Sequence, residues 1–242
     1  MRRCIIIASL IIMGCLWLSI SPAFGLPDGA VARLGKGDIA YTDRSVAFSA
    51  DGSRVAVATT IGIYIYDSLT HQEIGLVETN AYATCVAFSP DGRLIASGHI
   101  DEISVPSTVK LWDASSLQEV ATLIGEYLAD VSSVAFSPDS LLLAAADDSG
   151  RARLWDVTSF QQVAVFEARL GHINSVAFSP DGQLLATGSD VYTSTESGVK
   201  LWGVPSLEEV ATLAGHRGDV NSVAFSPDGH FLAAGGSDTK LW

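Results

Sequence analysis

Ser222-Val-Ala-Phe-Ser-Pro-Asp-Gly229 decides how this chain is read. The same eight residues return at Ser175–Gly182, and with one change each at Ser45–Gly52, Cys85–Gly92 and Ser133–Ser140. Five copies, 40 to 48 residues apart in a chain of 242, make this a repeat protein, and a repeat has to be settled before any other element. Val223 and Phe225 alternate with small residues, the period-2 pattern of a strand with one buried face. Ser226-Pro-Asp-Gly229 then reverses the chain: Pro presets φ at the second turn position, and Gly closes a type I turn at the fourth.

Outward from the turn, a second short apolar run completes a hairpin, as in Arg93-Leu-Ile-Ala-Ser97 and Gln183-Leu-Leu-Ala-Thr187. A third run ends in Lys110-Leu-Trp-Asp113, Arg153-Leu-Trp-Asp156, Lys200-Leu-Trp-Gly203 or Lys240-Leu-Trp242, with Tyr64-Ile-Tyr-Asp67 in the first repeat. A fourth run follows at Ile74–Val77, Val120–Leu123, Val163–Phe166 and Val210–Leu213. Four short strands at this period are the signature of a propeller blade.

On these residues the chain resembles the WD-repeat (WD40) β-propeller family, of a bacterial exported type. The resemblance spans about residues 31–242 and rests on the Ser-Pro-Asp-Gly turn, the Leu-Trp-Asp strand end, and the dipeptides Gly171-His172 and Gly215-His216. It implies an all-β fold of four-stranded blades, with repeats at about 43–79, 83–124, 131–167, 173–214 and 220–242. It also implies a structural set in which His links to a hydroxyl, an Asp and the Trp. The fourth repeat carries His172, Thr187, Asp190 and Trp202; the fifth carries His216, Asp238 and Trp242 but has Ala234 in the hydroxyl position. The second has Ser97 and Trp112 without Gly-His, and the third has Asp148 and Trp155 with Glu126 after its Gly, so the first three blades are expected to be less rigid.

Val31-Ala-Arg-Leu34 reads as a fourth strand with no hairpin before it, and the last repeat stops on Trp242 after its third strand. The expectation is that residues 31–34 complete the last blade and close a five-bladed ring; the alternative is an open or truncated array with exposed edges. Upstream, residues 26–30 are a Pro/Gly linker. Residues 1–25 join Arg2 and Arg3 to an apolar run, Ile5–Ile20, and small residues at Ala23 and Gly25, the pattern of a secretory signal cleaved after Gly25. The alternatives are an uncleaved membrane anchor at residues 5–20 and a lipid carried on Cys15. The location expected is periplasmic or extracellular, with a membrane involved only under those alternatives.

Charge narrows the partners. Residues 1–25 hold two of the 14 Lys and Arg and none of the 27 Asp and Glu, which leaves the remainder near −15. That argues against nucleic acid, which needs a basic footprint, and against anionic lipid surfaces. Cys85 is the one cysteine beyond the leader, so no internal disulfide forms there.

No catalytic or metal constellation stands out from the repeats, and no cofactor is expected. No His pair has helical metal-ligand spacing, and the recurring Asp51, Asp91, Asp139, Asp181 and Asp228 belong to the turn. Asp147-Asp148-Ser149-Gly150 lacks the spaced ligands of a calcium loop and reads as a tight turn. Two long connections between second and third strands, His99–Thr108 and Ser189–Gly198, are expected to project from one face. Insertions on a rigid scaffold are where binding sits, so His99, Asp101, Glu102, Tyr192 and Glu196 are candidate partner-binding residues. The function expected is a non-catalytic scaffold for a protein or peptide. The alternatives are a channel-based enzyme or small-ligand receptor, and a truncated repeat protein without a function of its own.

Overall fold

A computed structural model describes residues 45–100, 108–123, 129–167, 171–190 and 198–242. Its described residues form 19 strands in five antiparallel sheets, one per repeat. The first sheet holds β1 (Val46–Phe48), β2 (Arg54–Thr59), β3 (Gly62–Asp67) and β4 (Glu73–Val77). The second holds β5 (Tyr82–Phe88), β6 (Leu94–Ile100), β7 (Val109–Asp113) and β8 (Glu119–Leu123). The third holds β9 (Val131–Phe136), β10 (Leu142–Asp147), β11 (Arg151–Asp156) and β12 (Gln162–Glu167). The fourth holds β13 (Ile173–Phe178), β14 (Leu184–Ser189), β15 (Val199–Gly203) and β16 (Glu209–Leu213). The fifth has three strands, β17 (Val220–Phe225), β18 (Leu232–Gly236) and β19 (Thr239–Leu241).

Each sheet is a meander in sequence order. In the first four sheets the second and third strands are largely buried on both faces, which is why they read as runs such as Val55-Ala-Val-Ala58 and Leu143-Ala-Ala-Ala146 rather than as alternations. The fourth strand lies at the rim and exposes Ile74, Val120, Val163 and Val210. Pairing slips by one residue beside Tyr66, Trp112, Trp155 and Trp202. This bulge brings Glu119 opposite Trp112 and Glu209 opposite Trp202, so Lys110 and Lys200 reach those carboxylates at 2.8 and 2.7 Å.

Apolar clusters fill the four seams between consecutive sheets. Ile63, Ile65 and Val77 pack on Val86, Ile95 and Trp112 of the second sheet. Leu111 and Leu123 pack on Val134, Leu143 and Trp155 of the third. Leu154 and Phe166 meet Ile173, Leu185 and Trp202 of the fourth, and Val199 meets Val220 and Val223 of the fifth. Each fully buried Ile or Leu contributes about 2 kcal/mol of transfer free energy.

Polar pegs run along the same seams. Thr84, Ser132 and Asn174 donate to the carbonyls of Val131, Ile173 and Val220, the first residues of the next sheet. Ser133 and Ser175 accept the buried N–H groups of Val176 and Val223 at 3.2 and 2.8 Å. At these two positions the Ser of the repeated phrase satisfies a neighbouring sheet's buried backbone donor.

Among the described residues no core cluster joins the fifth sheet to the first. The segments 1–25, 26–30 and 31–34, which bear on the leader, the linker and ring closure, lie outside the described residues.

Candidate functional site

One set of connections is nearly uniform. In each first turn, Ser49, Ser89, Ser137, Ser179 or Ser226 donates its hydroxyl to the Asp two residues on, at 2.5–2.6 Å. The same hydroxyl accepts the N–H of Arg54, Leu94, Leu142, Leu184 or Phe231, and the Asp accepts the N–H of the second residue after it. The Ser49 hydroxyl and the Ser53 N–H hold Asp51 down at about 2. Asp139, Asp181 and Asp228 are lowered in the same way, chiefly by Ser137, Ser179 and Ser226. These carboxylates are ionised parts of a turn cage, and the fold accounts for them.

The expected His–hydroxyl–Asp–Trp sets assemble unevenly. In the fourth sheet Trp202 donates its indole N–H to Thr187 at 3.0 Å. His172 stays out of that pair: its side chain is 48% exposed, with Nδ1 3.8 Å from Asp190. Asp190 is held instead by the Asn174 amide at 2.6 Å. In the fifth sheet His216 is buried and donates through Nδ1 to Asp238 at 2.5 Å, with its ring 5.5 Å from Trp242. Its Nε2 has no partner, because Ala234 stands where Thr187 supplies a hydroxyl.

The second sheet builds a set that its lack of Gly-His concealed. Trp112 donates to Ser97 at 2.7 Å, and Ser97 in turn lies 2.8 Å from His99 Nε2. His99, expected in an exposed binding loop, is instead a fully buried residue of β6, which runs three residues past Ser97 before the connection begins. Residues i and i+2 of a strand share a face, so the signal was present in Ser97-Gly98-His99. Burial, and secondarily the Lys110 charge, push His99 down to about 3.

In the third sheet Ala145 replaces the hydroxyl, and Arg153 stands at the register of Lys110 and Lys200. Gln162 occupies the rim position of Glu119 and Glu209. Arg153 turns inward to Asp147, and both side chains are almost wholly buried. Asp148 beside it is raised, first by burial and then by the charges of Asp130, Asp147 and Asp190, with His172 opposing. The Asp147–Gly150 stretch is the tight turn that the sequence suggested, closed by Gly150 N–H to the Asp147 carbonyl at 3.2 Å.

The profile described as WD domain, G-beta repeat matches residues 74–113, 117–156, 160–202 and 207–242, more than half of the chain. The chain belongs to the WD-repeat family. Each matched WD segment takes the rim strand of one sheet and the three inner strands of the next: β4 with β5–β7, β8 with β9–β11, β12 with β13–β15, and β16 with β17–β19. The WD sequence unit thus straddles a seam, which is where the polar pegs and apolar clusters lie. WD repeats generally serve as scaffolds for protein–protein interaction. No curated protein matches the chain.

The other set of connections, between second and third strands, differs from repeat to repeat. It is Thr60–Ile61 in the first, residues 101–108 in the second, Asp148–Gly150 in the third, residues 190–198 in the fourth and Ser237–Asp238 in the fifth. Of the candidate partner residues, Asp101, Glu102, Tyr192 and Glu196 lie outside the described residues. On the described part of this face, the β2–β3 turn and the β4–β5 connection frame an open depression of about 370 Å³. Ile61 and Tyr82 at its wall are 51% and 40% exposed. Among the described residues no group of His, Cys, Asp and Glu is arranged to hold a metal ion.

Proposed function

We propose that this WD-repeat chain is a non-catalytic scaffold outside the cytoplasm that holds a protein or peptide on the face of the β2–β3 and equivalent connections. The contrast between the two sets of turns carries the reading. The Ser-x-Asp turns are alike because the fold uses them, with each carboxylate engaged by its own turn. The opposite connections vary in length and chemistry, and Ile61 and Tyr82 stand exposed among them. Variable connections on a rigid scaffold are the usual seat of recognition. The leader-like residues 1–25 support export.

The test is affinity capture from the native extracellular fraction with the full chain and with a version whose residues 100–108 and 189–198 are cut to the length of Gly236-Ser-Asp238. A partner held by the full chain and lost by the trimmed one supports the reading. The same partner held by both, or the native chain found in the cytoplasmic fraction, defeats it.

A further inference from the structure

The depression between the β2–β3 turn and the β4–β5 connection joins several kinds of chemistry. Ile61 and Leu76 give it an apolar wall, and Tyr82 gives it an aromatic ring. Thr60, Glu78 and Asn80 bring a hydroxyl, a carboxylate and an amide to the same volume of about 370 Å³. Small-molecule pockets run from about 300 to 1,000 Å³, which puts this one at the small end. Ile61, Glu78, Asn80 and Tyr82 are exposed.

The walls are set by the fold. Buried Thr59 donates its hydroxyl to the Gly62 carbonyl at 2.8 Å, and buried Thr79 donates to the Ala81 carbonyl at 2.6 Å. Between Thr79 and Ala81, Asn80 takes the left-handed backbone that Asn tolerates, with φ 54°. The two segments also meet closely: a Cβ at Gly62 would collide with the carbonyl of Val77. A pocket tied in this way is ordered before a partner arrives, which lowers the cost of binding.

We propose, resting on the scaffold reading above, that this depression seats an arginine side chain of a polypeptide partner. Each lining group has a counterpart in that side chain. The aliphatic stem lies along Ile61 and Leu76, as long cationic side chains lie on apolar surface with the head in water. The guanidinium is planar, stacks on aromatic faces and pairs with carboxylates through two parallel N–H donors, which suits a ring and a carboxylate in one depression. Its remaining donors suit the Asn80 amide oxygen and the Thr60 hydroxyl. An ammonium offers no plane to the ring and no fork to the carboxylate, so lysine fits less well. An apolar segment covers Glu78 without a partner, at the cost of its desolvation. The chain's formal charge of −13 draws a cationic segment toward it.

The experiment titrates the full chain with N-acetylarginine amide and follows the Ile61 methyl and Tyr82 ring resonances by NMR. The expected result is a saturable shift at both, weaker with the lysine counterpart and lost with the citrulline counterpart, which keeps the shape without the charge. Glu78→Gln weakens arginine binding several-fold and levels it with citrulline. Glu78 is exposed, and an unchanged Tm shows that the variant is folded. Absence of a saturable shift overturns the proposal. So does a citrulline compound that binds as well as arginine, a lysine compound that binds better, or indifference to Glu78→Gln. The captured partner separates this outcome from the wider reading. A partner lost when the long connections are trimmed but retained by Glu78→Gln leaves the scaffold standing and defeats the arginine site.

Discussion

His99 is bound to Ser97, two residues behind it on the same strand, with Nε2 2.8 Å from the hydroxyl oxygen. That hydroxyl accepts the Trp112 indole N–H and has its own proton to give, so the ring is neutral with its hydrogen on Nδ1. Nδ1 faces the Ala81 carbonyl without completing a hydrogen bond. Ser97→Ala leaves an indole donor and an imidazole acceptor unpartnered in the interior. The expected loss is about 2–4 kcal/mol by denaturant unfolding, at 1–3 kcal/mol per stranded group. A loss under about 0.5 kcal/mol would refute the arrangement.

The same site sets a pH dependence. His99 is held at about 3 in the fold, against an ordinary 6.5, so the unfolded chain takes up a proton that the folded chain refuses. This contribution to stability is complete above pH 6.5 and is lost as pH falls toward 3, at up to about 1.4 kcal/mol per pH unit. His99→Gln removes the titration. The stability gap between wild type and variant should shrink between pH 7 and pH 5; a constant gap contradicts a neutral, buried His99.

His216 presents the converse case. Nδ1 is satisfied by Asp238, and Nε2 is buried without a partner because the hydroxyl position holds Ala234. Ala234→Ser puts an O–H donor at the register where Ser97 and Thr187 serve the other sheets. The expected gain is about 1 kcal/mol, a rise in Tm of about 2–4 °C for a chain of this size. A fall in Tm would mean that the hydroxyl does not reach the ring.

The sheets were legible because their signals are local. An eight-residue phrase fixes strand, turn and strand, and the Leu-Trp ending marks the third strand. The hydroxyl–Trp bonds at Thr187 and Ser97 join residues of the set that the family resemblance implied. What escaped was the use of a neighbouring strand. His172 carries the expected motif yet stands beside Asp190, because the Asn174 amide already occupies that carboxylate. His99 carries no motif and takes the buried place two residues on from Ser97, at the register that Ser189 holds in β14. Gly-His spacing alone does not decide which imidazole is buried; His99 is buried beside the Ser97 hydroxyl without it.

Ser140 tests a balance of two small terms. It has φ 64° at the position where Gly52, Gly92, Gly182 and Gly229 have φ between 70° and 73°. Left-handed backbone costs an L-residue roughly 1–2 kcal/mol. Against this, Ser140 accepts the N–H of Asp91 at 3.1 Å, tying the third sheet's turn to the second's. An exposed bond of this kind contributes about 0.5–1 kcal/mol. Ser140→Ala keeps the strain and loses the bond, so it lowers stability. Ser140→Gly loses both and should equal or exceed wild type in thermal unfolding. If Ala proves as stable as Ser, the bond to Asp91 contributes nothing.

Arg153 and Asp147 make the strongest prediction, because neither charge has water to fall back on. They are diagonal neighbours across β10 and β11, on one face, where Ala145 and Gln162 remove the hydroxyl and the rim acid of the other sheets. Asp147 also accepts the N–H of Ser149 at 2.9 Å, so its loss loosens the turn as well. Removing one member of a buried ion pair costs about 3–5 kcal/mol. Asp147→Ala and Arg153→Ala should each cost that much in urea unfolding. The double variant strands no charge and should cost clearly less than the two losses added. Additive losses would show that the charges are screened by solvent, and that the third sheet rests on apolar packing such as that of Leu154, Trp155 and Phe166.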